Sequence, residues 1–148
     1  DSPTGVERLS GYKDALAQHG IAVRDALIAE GKWNPASGAA AVSQLLTRGE
    51  TFTALVASND DMAIGAIRQL HESGVATPGA VSVIGFDDVA IAPYIVPSLS
   101  SVRIPVTEMI QETISRMIFM LDGGEFKPQQ TFSGELILRD SVIDGPHR

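Results

Sequence analysis

Two polar clusters hold the side chains best placed to do chemistry: Asn59-Asp60-Asp61 and Asp87-Asp88. Each closes an apolar run, Thr53-Ala54-Leu55-Val56-Ala57 in the first case and Val81-Ser82-Val83-Ile84-Gly85-Phe86 in the second. Short apolar runs bounded by turn residues read as strands, so both clusters fall at strand carboxyl ends, about one βαβ unit apart. In parallel α/β sheets ligands bind beyond those ends. The lone tryptophan, Trp33, follows a third run, Ala26-Leu27-Ile28-Ala29, in the same way. An aromatic, an amide and a carboxylate on one rim suit a sugar. The indole offers a flat face to the ring, while an amide and a carboxylate from these clusters offer donors and acceptors to its hydroxyls. Each residue also has a plainer reading. Asn59 or Asp60 can cap the helix that follows, Asp87-Asp88 can be a solvated turn, and a single tryptophan can be packing. Convergence of the three on one rim favours a ligand.

Other chemistries fit less well. A glycosidase pair needs two carboxylates flanking one bond, whereas adjacent aspartates on a turn point apart. A phosphate-accepting acidic pocket wants a lysine at the end of a later strand, and Val102-Arg103-Ile104-Pro105 supplies only Arg103. Nucleotide binding wants a glycine-rich strand-to-helix turn, and neither G-x-G-x-x-G nor G-K-[ST] occurs. His19, His71 and His147 share no metal-ligand spacing and are expected at the surface. No Ser-His-Asp arrangement converges. Neither a metal nor a cofactor is expected.

The elements that must position the rim follow from hydrophobic periodicity. Val6, Leu9, Tyr12, Leu16 and Ala17 share one face of a helix from Thr4 to His19, with Gly20 as its stop. Gly31-Lys32-Trp33-Asn34-Pro35 reads as a loop, and Ser37 as the cap of a helix running to about Arg48. The unbroken apolar run Thr53–Ala57 is expected to be buried on both faces, as in parallel sheets. Ser58-Asn59-Asp60-Asp61 opens a helix along which Met62, Ile64, Ile67 and Leu70 recur, ended by Gly74. Past a Pro78-Gly79 turn come the strand Val81–Phe86 and the β-prone Ser100–Ile104. Pro105 suits the first turn of a helix to Leu121, and Thr131 to Val142 alternates as a strand does. The order α-β-α-β-α-β-β-α-β with short links predicts an α/β fold, a doubly wound, mostly parallel sheet.

Bulk properties exclude several partners. The 148 residues make one domain, long enough to bury a core. With 44% apolar and 20% charged residues the chain is not of the disordered class. No apolar run reaches the roughly 18 residues of a membrane span, and without cysteine there is neither disulfide nor thiolate metal site. Eighteen acidic against eleven basic residues give a net charge of −7. Phosphate neutralisation by Lys and Arg dominates nucleic-acid affinity, so this chain alone is expected to hold neither DNA nor an anionic membrane. The start at Asp1-Ser2-Pro3-Thr4, with no Met and no leader, leaves open whether a signal peptide or a whole domain precedes it.

At these positions the chain resembles the LacI/GalR family of transcriptional repressors. The resemblance rests on Glu7-Arg8-Leu9-Ser10-Gly11-Tyr12, Gly31-Lys32-Trp33, Val56-Ala57-Ser58-Asn59-Asp60-Asp61-Met62-Ala63-Ile64-Gly65, Val81-Ser82-Val83-Ile84-Gly85-Phe86-Asp87-Asp88 and Pro97-Ser98-Leu99-Ser100-Ser101-Val102, in order and in register. The family fold has two periplasmic-binding-protein-like (type I) lobes behind an N-terminal helix-turn-helix head. The resemblance implies that residues 1–148 are the C-terminal lobe plus a returning segment, about 105–125, that packs on an absent N-terminal lobe. It implies a small sugar or β-glucoside as effector, contacted by Thr4, Arg8, Trp33, Asn59 and Asp87. It further implies a homodimer, through the helix carrying Ile64 and Ile67, and operator DNA reached only through the missing head. One position departs from the pattern: Ile104 stands where many relatives carry a ligand-contacting glutamine, so the effector is expected to differ from theirs.

Two functions of different classes share such lobes. A cytoplasmic regulator is expected to use the effector to favour one arrangement of the lobes over another. A periplasmic sugar-binding protein of a transport system is the alternative. A helix-turn-helix ahead of the chain supports the first, a signal peptide the second, and the five motifs favour the first. An enzyme ranks third, because neither a nucleophile nor a base is evident.

Overall fold

Four helices and four strands, numbered α1–α4 and β1–β4 below, make up the regular structure of the computed structural model, which describes residues 2–125 and 130–144. Helix α1 (Pro3–Gln18) starts where Ser2 accepts the Gly5 N–H at 3.3 Å and Pro3 fills the first helical position. Helix α2 (Pro35–Thr47) opens with a reciprocal cap. Asn34 Oδ1 accepts the Ser37 N–H at 2.9 Å, and the Ser37 hydroxyl accepts the Asn34 N–H at 3.5 Å. The cap is thus Asn34, with the expected capping residue Ser37 as its counterpart inside the first turn. Helix α3 (Asp60–Glu72) is capped by Asn59, whose Oδ1 accepts the Met62 N–H at 3.0 Å.

Strands β1 (Ala54–Val56), β2 (Ser82–Asp87) and β3 (Ser100–Arg103) lie side by side and parallel, and β4 (Glu135–Ile137) pairs antiparallel with β3. This is the mostly parallel α/β sheet that the element order predicts. Helix α2 packs on α3, and α3 packs on β2. Their contact stripes follow helical spacing: Gly38, Val42 and Leu45 from α2, and Met62, Ala66, Ile67 and Leu70 from α3. Val42 and these α3 residues form the core with Val83 and Leu99, where each large side chain contributes roughly 1.5–3 kcal/mol. The two helices approach closely at Gly65, where a Cβ would stand 1.8 Å from the Pro35 carbonyl oxygen.

Three expectations need correction. The run Ala26–Ala29 is not a strand: a 3-10 turn spans Asp25–Leu27, and the Arg48 guanidinium, not a neighbouring strand, donates to the Ala26 and Ile28 carbonyls, each at 2.8 Å. Strand β1 is not buried on both faces. Leu55 packs against the core, while Val56 is 62% exposed, because α2 and α3 cover only one side of the sheet. Of Thr131–Val142 only Glu135–Ile137 is strand. On α3, Ile67 is buried in the lobe's own core, while Ile64 packs against that core and is only partly buried.

Helix α4 (Val106–Leu121) begins after Pro105, its N-cap, and buries no residue. Val106, Ile110, Ile114, Met117 and Ile118 are all more than half exposed along it. Val106, Met109, Ile110, Thr113 and Ile114 of this helix, with Ile104 just before it, line an open apolar groove of about 390 Å3. His19 and His71 are exposed, as expected; His147 lies outside the described residues. Among the described residues no helix is long and apolar enough to cross a membrane.

Candidate functional site

The carboxyl ends of β1 and β2 are adjacent because the two strands pair in parallel, Val56 against Ile84. Arg8 spans them. From the second turn of α1 its Nη1 donates to the Ser58 carbonyl just past β1, and its Nη2 donates to Asp87 Oδ1 at the end of β2, at 3.2 Å. The guanidinium lies 3.8 Å from the Phe86 ring centroid and 5.4 Å from that of Trp33, both within cation–π range. Partial burial, with 19% of the Arg8 side chain and 34% of the Asp87 side chain exposed, keeps this charge pair stronger than a fully solvated one.

Asn59 combines both of its readings. Its oxygen caps α3, and its amide Nδ2 donates to the Trp33 carbonyl at 3.3 Å. The cap therefore also ties down the loop that presents the indole. Thr4 is exposed, one helical turn before Arg8 and so on the same side of α1. At the next residue, Gly5, a Cβ would lie 3.4 Å from the indole edge. Arg8, Trp33, Asn59 and Asp87 thus come together at one rim, with Thr4 at its margin. Ile104 follows Arg103, which is the register partner of Asp87, and so borders the same strand edge.

The two adjacent aspartates do point apart. Asp88 turns away from Arg8, and its carboxylate accepts from Arg103 Nε and pairs with Arg139 Nη2, each at 2.7 Å. Burial pushes its carboxyl upward, but the bonds from Arg139 and then Arg103 outweigh this and hold it below the ordinary range. Asp60 lies inside the lobe, its Oδ1 accepting the Ser101 hydroxyl at 2.6 Å and its Oδ2 the Val89 N–H at 2.8 Å. Burial raises its pKa despite those two bonds, aided by the nearby charges of Asp87 and Asp88.

Three non-glycine residues of the site have positive φ: Trp33 at 61°, Asp87 at 113° and Asp88 at 55°. Each such backbone costs on the order of 1–3 kcal/mol and persists only where surrounding bonds enforce it. Phe86 and the Ser58 carbonyl were not singled out from the sequence as site groups. The available signal was an aromatic directly before the strand-end Asp87. Chemically the rim offers a fixed cation, a partly open carboxylate and an aromatic edge. Among the described residues no group of His, Cys, Asp and Glu could hold a metal.

The chain and its fold are similar to those of known proteins. A family model described as a periplasmic binding protein-like domain matches residues 1–142. The chain is 73% identical over 143 residues to the HTH-type transcriptional regulator AscG of Escherichia coli K12, covering 97% of this chain and 43% of AscG. It is 41% identical over 138 residues to the HTH-type transcriptional regulator GalR of the same organism, covering 92% of this chain and 40% of GalR. The crystal structure of the Escherichia coli transcriptional repressor AscG superposes with a TM-score of 0.89 at 72% identity, over 97% of this chain and 52% of that one. The regulator CelR in complex with cellobiose superposes with a TM-score of 0.87 at 33% identity, over 93% of this chain and 42% of that one. The chain thus spans about two-fifths of the length of these curated regulators. With that identity, and with a family model matching nearly all of its length, the chain belongs to the periplasmic binding protein-like domain family, in the branch found in LacI/GalR-type transcriptional regulators.

Proposed function

We propose that this chain is the effector-binding part of a LacI/GalR-type repressor of a carbohydrate operon, and that a small sugar or β-glucoside binds at the rim of Arg8, Trp33, Asn59, Asp87 and Thr4. The observation that carries the reading is Arg8 fixed between Phe86, Asp87 and the Ser58 carbonyl, with the indole beside it. A cation and a carboxylate in register can grip neighbouring hydroxyls, while the Trp33 face packs on the ring. That CelR was solved with cellobiose on the same fold supports a carbohydrate ligand. Ile104 at the same strand edge supports an effector with less polar bonding there than a glutamine would provide.

In this reading residues 105–125 form the returning segment that packs on an N-terminal lobe, supported by the exposed apolar stripe of α4. The protein works as a cytoplasmic homodimer and reaches operator DNA through an N-terminal head, supported by the HTH-type names of AscG and GalR. The exposed apolar side chains Ile91, Tyr94 and Val96, at 51%, 79% and 92%, support a second contact surface on this lobe. The role is binding, not catalysis: the two carboxylates nearest the rim, Asp87 and Asp88, are each engaged by arginine.

Calorimetry of the intact protein against cellobiose, aryl and alkyl β-glucosides and monosaccharides tests the reading. Saturable binding of at least one sugar, weakened roughly 10- to 100-fold on Asp87→Ala, is the expected result. No heat from any carbohydrate, or unchanged binding in that variant, removes the assignment.

A further inference from the structure

The turn that ends β2 carries Asp87 toward Arg8 through two successive positive-φ residues, Asp87 and Asp88. Neither is glycine, so the conformation must be enforced from outside the turn. Two successive backbone N–H groups leave it on the inner side. The Val89 N–H donates to Asp60 Oδ2 at 2.8 Å, and the Asp88 N–H donates to Ser101 Oγ at 3.0 Å. The Ser101 hydroxyl in turn donates to Asp60 Oδ1 at 2.6 Å. Both amides therefore end on one carboxylate, one directly and one through a hydroxyl relay. Asp60 and Ser101 are fully buried. The strand makes room for the carboxylate at Gly85, where a Cβ would stand 2.1 Å from Asp60 Oδ1. Asp60 is also the first residue of α3, next to the cap Asn59 that holds the Trp33 carbonyl.

We propose that Asp60 is a positioning residue for effector binding: it holds the Asp87-Asp88 turn in its strained form and thereby aims the Asp87 carboxylate at the rim, without touching the ligand. The proposal rests on the sugar-binding reading above for its consequence, but not for the tether itself.

The test has two arms, both on the intact protein. Asp60→Ala removes the acceptor of the Val89 N–H and the oxygen that orients the Ser101 hydroxyl under the Asp88 N–H. Asp60→Asn keeps an oxygen for the Val89 N–H and turns its amide toward Ser101 Oγ, so it is the conservative rescue. In the ligand-free arm, hydrogen exchange of the Asp88 and Val89 amides accelerates by about tenfold or more in Asp60→Ala and stays near wild type in Asp60→Asn. Where Asp60→Ala does not fold, Ser101→Ala serves instead: it frees the Asp88 amide alone and leaves Val89 protected. Unchanged exchange at both amides overturns the proposal, as does an Asp60→Asn variant as loose as Asp60→Ala. In the binding arm, cellobiose and methyl β-D-glucopyranoside are titrated. Whichever the wild type binds is weakened about tenfold by Asp60→Ala, with no further loss when Asp60→Ala is added to Asp87→Ala. Additive losses show that Asp60 acts elsewhere and overturn the proposal. A wild type that binds neither sugar counts against the functional reading, and the exchange arm still decides the tether.

Discussion

The Arg8 guanidinium stacks on Phe86 at 3.8 Å and in the same pose meets the Asp87 carboxylate at 3.2 Å. The cation is thus held by an aromatic plane and an anion at once, and its remaining N–H groups can face the rim. Replacing either charged partner should weaken sugar binding by about 1.5–3 kcal/mol, or roughly 10- to 100-fold. Operator affinity without sugar should stay unchanged in Arg8→Ala and Asp87→Ala. Titration of the two variants beside the wild type checks this, and a full sugar response from both would refute the assignment of the rim.

Trp33 is the only tryptophan, so intrinsic emission reports its loop. Sugar packing on the indole should shift or quench that emission at saturation, in step with the calorimetric isotherm. A spectrum unmoved by a sugar that calorimetry shows to bind would exclude ring packing on Trp33.

At Gly65 two effects oppose each other. Alanine gains about 1 kcal/mol in helix propensity, but its Cβ would sit 1.8 Å from the Pro35 carbonyl oxygen. Overpacking of that kind costs roughly 1–3 kcal/mol, so Gly65→Ala should lower the urea midpoint. A raised midpoint would mean that α2 and α3 do not approach this closely.

Asp60 and Asp88 titrate with opposite consequences. The folded-state pKa of Asp88 is lowered, so its stabilisation is present above the unfolded value near 4 and is lost as pH falls through the folded one. The pKa of Asp60 is raised, so its protonated form favours folding below about 4, and that contribution is lost as pH rises through the folded value. Urea unfolding between pH 3 and 7 should therefore show Asp88→Asn falling further behind the wild type as pH rises. Asp60→Asn should gain on the wild type over the same interval. Parallel slopes for the two variants would contradict the opposed environments.

The 148-residue chain by itself should self-associate. Along α4 the side chains Val106, Ile110, Ile114, Met117 and Ile118 are more than half exposed, a stripe long enough to dock on another copy. Sedimentation across a concentration range checks this, and a clean monomer at high concentration would show the stripe to be inert.

Much of the layout was legible in the residues. Helix stops, proline starts and short apolar runs located α1, α3, β2 and α4 to within a residue or two, because those signals are local. The polar clusters fell at neighbouring strand ends, because the parallel βαβ rule fixes where carboxyl ends lie. What escaped depended on partners distant in sequence. Ala26–Ala29 has strand composition, yet its carbonyls are taken by Arg48. The apolar run at β1 looked covered on both faces, yet α2 and α3 lie on one side only. Phe86 under Arg8 could not be read from spacing, since the alternation along β2 does not tell which face α1 reaches.

Helix α1 buries no residue of its own, so Arg8 serves as its latch to the sheet, through Ser58, Phe86 and Asp87. If the sugar engages that same arginine, ligand affinity and helix docking become linked equilibria, each shifting the other by the same factor. Occupancy of the rim would then be felt along α1 as slower opening, and any change that loosens the helix elsewhere would return as weaker binding.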